Sequence, residues 1–451
     1  MQMTQTATTQ KQYPAYKDSG VEWIGKIPEH WDKKALKFFS RIVLGKMLAP
    51  QDKGGCFLKP YLKAKNILWE KVGDAEISEM WFSENELLQY RLQENDLLVS
   101  EGGEVGRTAI WQNEIPECYI QNSVHKVSVN SDGNPRFFLY AFGLYGRIGH
   151  FDSIVNRVSI AHLTREKLKD VFFFAPASDE QQAIANFLDR KTALIDELIE
   201  KKKRQVELLK EQRQAIINQA VTKGLNPNVK MKDSGIEWLG DIPEHWEVKL
   251  LKYIGTNGLT NGIFKKKDQY GRGTKLVNVI DLYQGNLLVR EEELGRVETD
   301  EDEALKYKVI KGDIFFVRSS LKLEGIGVSA LVADISEPTV FECHIVRFRP
   351  LQNVVNPKFL VNYLNSWYVH QRLITLSQTV TMSTISQDKI SSLEIALPAL
   401  EEQCEVVEYI DMVSSKVEAS ISRAENQIQL LQEYRTALIS EAVTGKIDVR
   451  E

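Results

Sequence analysis

One stretch of about fifty residues occurs twice in this chain, and its continuity constrains the fold more than anything else does. It runs from Pro176 to Gly224 and returns from Pro398 to Gly445, alignable without a gap at a shift of 222. Both copies open Pro-Ala-x-x-Glu-Gln and close Ala-Val-Thr, and neither holds an internal Pro or Gly that would break a helix. Apolar residues recur at alternating steps of four and three. They are Ile195, Ile199, Val206, Leu209 and Ile216 in the first copy, and Val417, Ile421, Ile428, Leu431 and Leu438 in the second. That spacing is a heptad seam, which predicts helices packed side by side in coiled-coil style. Lys202 and Arg213 in the first copy and Arg435 in the second put charge on the seam, which favours a specific partner over a generic zipper. Each helix should be about 60–65 Å long at 1.5 Å per residue, the proportions of a spacer.

The duplication extends beyond the helices. YKDSGVEWIGKIPEHW (16–31) and MKDSGIEWLGDIPEHW (231–246) agree at twelve of sixteen positions, at a shift of 215. The chain is therefore two copies of one unit. Its expected divisions are a disordered tail (1–15), a globular body (16–177), a long helix (178–223), a linker (224–230), a second body (231–399), a second helix (400–445) and a short tail (446–451). The fold class expected is α/β or α+β: two similar globular domains, each followed by a long helix, with the helices packing on one another.

Strands are expected at 96–100, 124–129, 170–174, 313–317, 340–348 and 393–397, and helices at 136–145 and 357–373. His30 and His245 read as packing or capping groups, and Trp23, Trp31, Trp238 and Trp246 as pins holding each lead-in to its body.

Composition leaves function open. The net charge is −5, and four scattered cysteines (Cys56, Cys118, Cys343, Cys404) lack zinc spacing, so reduced thiols in a cytosol are expected. No run of eighteen apolar residues suggests a membrane span. An adenine methyltransferase would need an Asn/Asp-Pro-Pro-aromatic tetrapeptide, and an NTPase a phosphate-binding Gly-rich loop; neither occurs. The Glu200–Lys202 pair lies inside the heptad helix, where a solvated face is the ordinary reading. No catalytic residue or metal site is assigned. Asp96 and Asp313, which both repeats share, read as turn-formers.

Polar and basic clusters in loops are the binding signals. The first body offers Lys63, Lys65, Asn66, Arg107, Gln121, Asn122, His125, Lys126, Arg157 and Ser159. The second offers Lys265, Lys266, Arg272, Lys275, Asn278, Arg318, Ser320, Lys322, Thr381 and Ser383. Arg, Lys, Asn and Gln make two-pronged contacts with purine edges, whereas Ser, Thr and Lys suit phosphates. Any polar loop holds such residues, so a coiled-coil adaptor that binds protein is the competing reading.

The lead-in SGxEWxGxIPEHW, the Pro-Ala-x-x-Glu-Gln helix entrance and the terminal Ala442–Asp448 together resemble the specificity subunit of type I restriction–modification systems, over nearly the whole chain. The resemblance implies two target recognition domains that each read half of a split site in double-stranded DNA. It further implies an antiparallel coiled coil that spaces them, and docking of two modification subunits and of restriction subunits. This chain would then be non-catalytic, with S-adenosylmethionine, ATP and Mg bound by the partners, in a cytosolic, nucleoid-associated assembly. Two departures stand out. Lys223 occupies the place of Gly445, and the run Lys201–Arg204 charges the first seam.

Overall fold

A computed structural model describes residues 11–155, 162–379 and 382–450. The chain forms two compact units, residues 1–203 with 426–451, and residues 204–425. The long helices run Ser178–Lys223 and Leu400–Val443.

In the first unit a four-stranded antiparallel sheet has the order Ser40–Leu44, Val124–Val129, Leu97–Ser100, Thr108–Ile110. Alternation along the central strand sends Leu97 and Val99 to one face and Leu98 to the other. The first face meets the helix Pro135–Arg147 and an aromatic cluster of Phe137, Phe138, Phe142, Phe151 and Phe173. The second packs on Leu62, Trp111, Ile120 and Val124. Each such buried side chain contributes about 1.5–3 kcal/mol. A three-stranded sheet (Ser78–Phe82, Phe57–Leu62, Tyr119–Ile120) adjoins it.

The second unit repeats the plan with a five-stranded sheet. Its order is Thr260–Asn261, Ile345–Phe348, Ile314–Val317, Ser329–Val332, Leu288–Val289. A three-stranded sheet joins Gly295–Val297, Tyr270–Val277 and Thr339–Phe341. Two sequence expectations are corrected here. The apolar run 340–348 is two strands, because Glu342–His344 turns between them. The helical pattern 357–373 is two helices, Pro357–Leu364 and Trp367–Leu376. The Asn365 amide clamps the strand residue Ser329, accepting its N–H at 3.1 Å and donating to its carbonyl at 2.9 Å, and the first helix stops there.

The duplicated motifs meet each other inside each unit. Glu180 accepts the Trp31 indole N–H at 3.0 Å, the Tyr13 hydroxyl at 2.7 Å and His30 Nε2 at 2.8 Å. In the second unit Glu402 accepts Trp246 Nε1 at 3.1 Å and His245 Nε2 at 2.7 Å. The neighbouring glutamines buttress the caps of the short helices: Gln181 accepts from Asn134 N and Gln403 from Asn356 N, both at 2.8 Å. Asn134 and Asn356 in turn cap Pro135–Arg147 and Pro357–Leu364. So the histidines serve the lead-in. Trp31 and Trp246 are wholly buried, whereas Trp23 is largely exposed and meets Tyr145 edge-on.

The ends of the long helices close the lead-ins. Lys446 Nζ donates to the carbonyls of Ile24, at 2.8 Å, and Lys26, and Lys223 Nζ to those of Leu239, at 3.4 Å, and Asp241. The order Thr-Lys-Gly at 222–224 and Thr-Gly-Lys at 444–446 therefore delivers the same contact, with Gly224 (φ +74°) and Gly445 (φ +69°) each in the left-handed turn that ends the helix. The tail expected at 1–15 is part of the fold from residue 11 on, since Tyr13 is buried in the core; residues 1–10 lie outside the described residues. The short tail is likewise held from 446 to 450, with Ile447 buried and Asp448 bonded to Arg450.

Seam residues are covered within each unit. Ile195 and Ile199 join Leu438 in the first unit's core, with Ile428 and Leu431 against it. Val206, Val417, Ile421 and Ala424 cluster in the second, with Leu209 beside them, while Ile216 is half-buried.

Candidate nucleic-acid interface

In the first unit three loops converge on one corner of the sheet. Ala64 N donates to Ser123 Oγ at 3.0 Å, Arg107 Nη2 to Ala64 O at 2.9 Å and Glu101 N to Ser123 O at 2.9 Å. Gly45 permits this approach, since a Cβ there would lie 2.4 Å from the Gln121 carbonyl. The corner thus gathers Lys63, Lys65, Arg107, Gln121 and Asn122 from separate parts of the sequence. Lys65 is exposed; Gln121 and Asn122 are half-buried and bonded to each other. Lys63 Nζ donates to Ser78 Oγ at 2.9 Å. Arg107 is tied to Glu104 at 3.1 Å as well as to Ala64. Burial raises the pKa of the nearby Glu101 carboxyl.

Three candidates from this half have interior work instead. His125 is fully buried with Nε2 2.6 Å from the Leu163 carbonyl, and burial pulls its pKa down to about 4, so it is neutral. Lys126, almost wholly buried, donates to the carbonyls of Gln89 and Arg91 at 3.0 and 2.7 Å. Asn66 is buried and braces its own turn, accepting from Lys63 N at 3.1 Å and donating to Ala75 O at 2.8 Å. All three lie at or beside loop ends, where polar residue type alone does not separate an inward side chain from an outward one. Arg157 and Ser159 lie outside the described residues.

The matching corner of the second unit surrounds a cavity of about 660 Å³ lined by Val279, Tyr283, Ser320, Lys322, Glu342 and His344. Glu342 Oε1 accepts from Val279 N at 2.7 Å, which leaves its carboxylate half-buried at the rim. Tyr283 donates to Ser320 Oγ at 3.3 Å. Arg318 N donates to His344 O at 2.9 Å, so Arg318 stands at the same corner. Asn278 caps the short turn beside it, and Lys322 is exposed at the tip with Leu321.

The other candidates here divide. Lys266 and Arg272 are exposed, the latter 2.5 Å from Glu298. Lys265 and Lys275 are mostly covered, Lys265 pairing with Glu303 at 2.6 Å and Lys275 donating to Glu291 O at 3.1 Å. Ser383 is corrected to the interior, where it pairs in register with Ser320. Thr381 lies outside the described residues. Sequence reasoning missed Glu342, His344 and Tyr283. The signal for the first two was there: Glu-Cys-His interrupts an otherwise apolar strand run.

Among the described residues, no helix is long and apolar enough to cross a membrane and no group of His, Cys, Asp or Glu could hold a metal ion. What the two corners offer is hydrogen-bonding capacity on a fixed frame: amides, a guanidinium and lysines in one, a carboxylate, an imidazole, hydroxyls and lysine in the other.

Comparison with known proteins agrees with this architecture. The model of the type I restriction modification DNA specificity domain matches residues 28–208 and 243–430. The chain is 25% identical over 368 residues to the type I restriction enzyme EcoBI specificity subunit of Escherichia coli, covering 79% of this chain and 75% of that one. It is 23% identical to a putative type I restriction enzyme MjaX specificity subunit of Methanocaldococcus jannaschii, covering 95% and 96%. Its fold is shared with a chain solved in work on complex assembly and conformational transition of the type I R-M system (TM-score 0.70, 14% identity, 93% and 99% covered). The HsdS subunit of Thermoanaerobacter tengcongensis also shares it (TM-score 0.55, 15% identity, 93% and 98% covered). With both repeats matched, the chain belongs to the type I restriction modification DNA specificity family.

Proposed function

We propose that this chain reads a split, asymmetric target in double-stranded DNA, one half with each recognition domain, as the non-catalytic specificity subunit of a type I restriction–modification enzyme. One observation carries the reading: the repeats share their frame but not their corners. Glu180 and Glu402, Gln181 and Gln403, and Asn134 and Asn356 do the same work in both, whereas Gln121-Asn122-Ser123 is answered by Glu342-Cys343-His344. Amides pair with adenine edges and a carboxylate accepts from the cytosine amino group, so unlike corners would select unlike half-sites.

In this reading the long helices form an antiparallel coiled coil that sets the gap between the half-sites. Two cross-helix ion pairs support it: Asp196 with Arg435 at 3.0 Å and Arg213 with Glu418 at 3.3 Å, whose numbers rise on one helix as they fall on the other. The same helices would dock two modification subunits and the restriction subunits. S-adenosylmethionine, ATP and Mg belong to those partners, and the assembly works on the nucleoid in a prokaryotic cytosol. The test is the genome-wide adenine methylation pattern of cells expressing the chain with its modification subunit. A single split motif, lost on deletion of the chain, is the expected result; unchanged methylation with an active, assembled partner would favour the protein-binding adaptor.

A further inference from the structure

Glu70 sits in the left-handed region at φ +71°, a conformation shared among the described non-glycine residues by three asparagines and Leu287. Asparagine visits it readily; glutamate is held there by its surroundings. Glu70 N donates to Thr108 O at 2.8 Å, which fixes the backbone against the sheet edge. Its carboxylate takes both arms of Arg435 from the second long helix, Nη1 to Oε1 at 2.9 Å and Nη2 to Oε2 at 2.5 Å. Arg435 Nε lies 3.0 Å from Asp196 on the first long helix, an ion pair without hydrogen-bond alignment, and Arg147 Nη2 is 3.6 Å from Glu70. The Arg435 side chain is 14% exposed, so little solvent screens the pair.

The contact continues toward the recognition corner. Trp69 lies over Gly146, where a Cβ would come within 2.1 Å of the indole. Its Nε1 donates to Glu104 Oε1 at 2.5 Å, Glu104 Oε2 accepts from Arg107 at 3.1 Å, and Arg107 donates to Ala64 O at 2.9 Å. Four side chains therefore link a helix arginine to the loop that carries Lys63 and Lys65. Among the described residues the second repeat shows no such link. Its seam arginine, Arg213, meets Glu418 at 3.3 Å, a helix-to-helix contact, and its left-handed non-glycine residues, Asn257 and Leu287, are uncharged.

We propose that Glu70 is a positioning residue for DNA recognition: gripped by Arg435, it fixes the angle at which the first recognition domain leaves the long helices, and so the register of the first half-site. This rests on the split-target reading above. The informative variant is Glu70→Gly, which removes the carboxylate while relieving the left-handed backbone, so the domain keeps its fold but loses the grip.

The full chain, assembled with its modification subunit, is assayed on duplexes bearing the wild-type methylation motif with the gap between halves set one base pair shorter, unchanged or one longer. Wild type should reject the altered gaps by ~100-fold or more, and Glu70→Gly by ~10-fold or less, a loss of about 1.4 kcal/mol in discrimination. Hydrogen exchange should quicken at residues 64–72 in the same variant. Unchanged gap discrimination with unchanged exchange overturns the proposal. If wild type yields no split motif at all, the split-target reading itself fails and this inference goes with it.

Discussion

Trp31 donates its indole N–H to Glu180 at 3.0 Å, and that carboxylate, only 7% exposed, also holds Tyr13, His30 and Arg450. Removing it leaves two buried donors, the Trp31 indole and the Tyr13 hydroxyl, without an acceptor, the costly direction of a buried polar contact. Glu180→Ala should lower stability by about 3 kcal/mol. Its counterpart Glu402 is 26% exposed, so Glu402→Ala should cost less, about 1–2 kcal/mol. Urea denaturation of the two variants, side by side, measures the difference.

His125 predicts a pH dependence. Its folded pKa is pulled down to about 4 by burial, against the Leu163 carbonyl and the nearby Glu166, which act the other way. Below pH 6.5 the unfolded chain takes up a proton that the folded chain refuses, so stability falls as pH drops from 6.5 toward 4. The loss should be on the order of 2–3 kcal/mol. His125→Gln should flatten that part of the profile, seen as a smaller shift of the urea midpoint between neutral pH and pH 5.

If the helix pair is a ruler, seven residues added in register to both helices lengthen it by about 10 Å, roughly three base pairs. The methylation motif of such a variant should keep both half-sites and gain a gap of that size. An unchanged gap would show that something other than helix length sets it.

Lysines of equal standing in the sequence should behave differently. Lys65 and Lys322 are exposed at the two corners, so replacing either by alanine should reduce the salt dependence of DNA binding by about one unit of slope. Lys126→Ala should leave that slope unchanged and destabilise the first unit, because the carbonyls of Gln89 and Arg91 lose their donor. Binding titrations at several salt concentrations, with thermal melts alongside, separate the two.

Much of the frame was legible because it obeys periodicity. The uninterrupted heptads announced the helices, and the duplicated motifs announced a repeated domain. Strands such as Val124–Val129 stood out as β-rich runs bounded by turn residues. The purposes of Glu180 and Gln181 were hidden, since their partners Trp31 and Asn134 are remote in sequence. The corners were legible only in residue type. Asn66 and Lys65 are neighbours, one buried and the other exposed, and a turn's local geometry decides which. The pattern 357–373 reads as one helix because Asn365 is helix-compatible until its amide finds Ser329.

Lys446 closing the lead-in at Ile24 means that the first unit is made from two separate stretches of the chain, residues 1–203 and 426–451. The second unit, 204–425, is continuous. A ribosome therefore releases every part of the second unit before the first has its last piece. During synthesis the downstream unit can close while the upstream one waits, holding Trp31 and Glu180 without the residues that seal them. The usual order of emergence, amino-terminal part first, is reversed for completion of the fold.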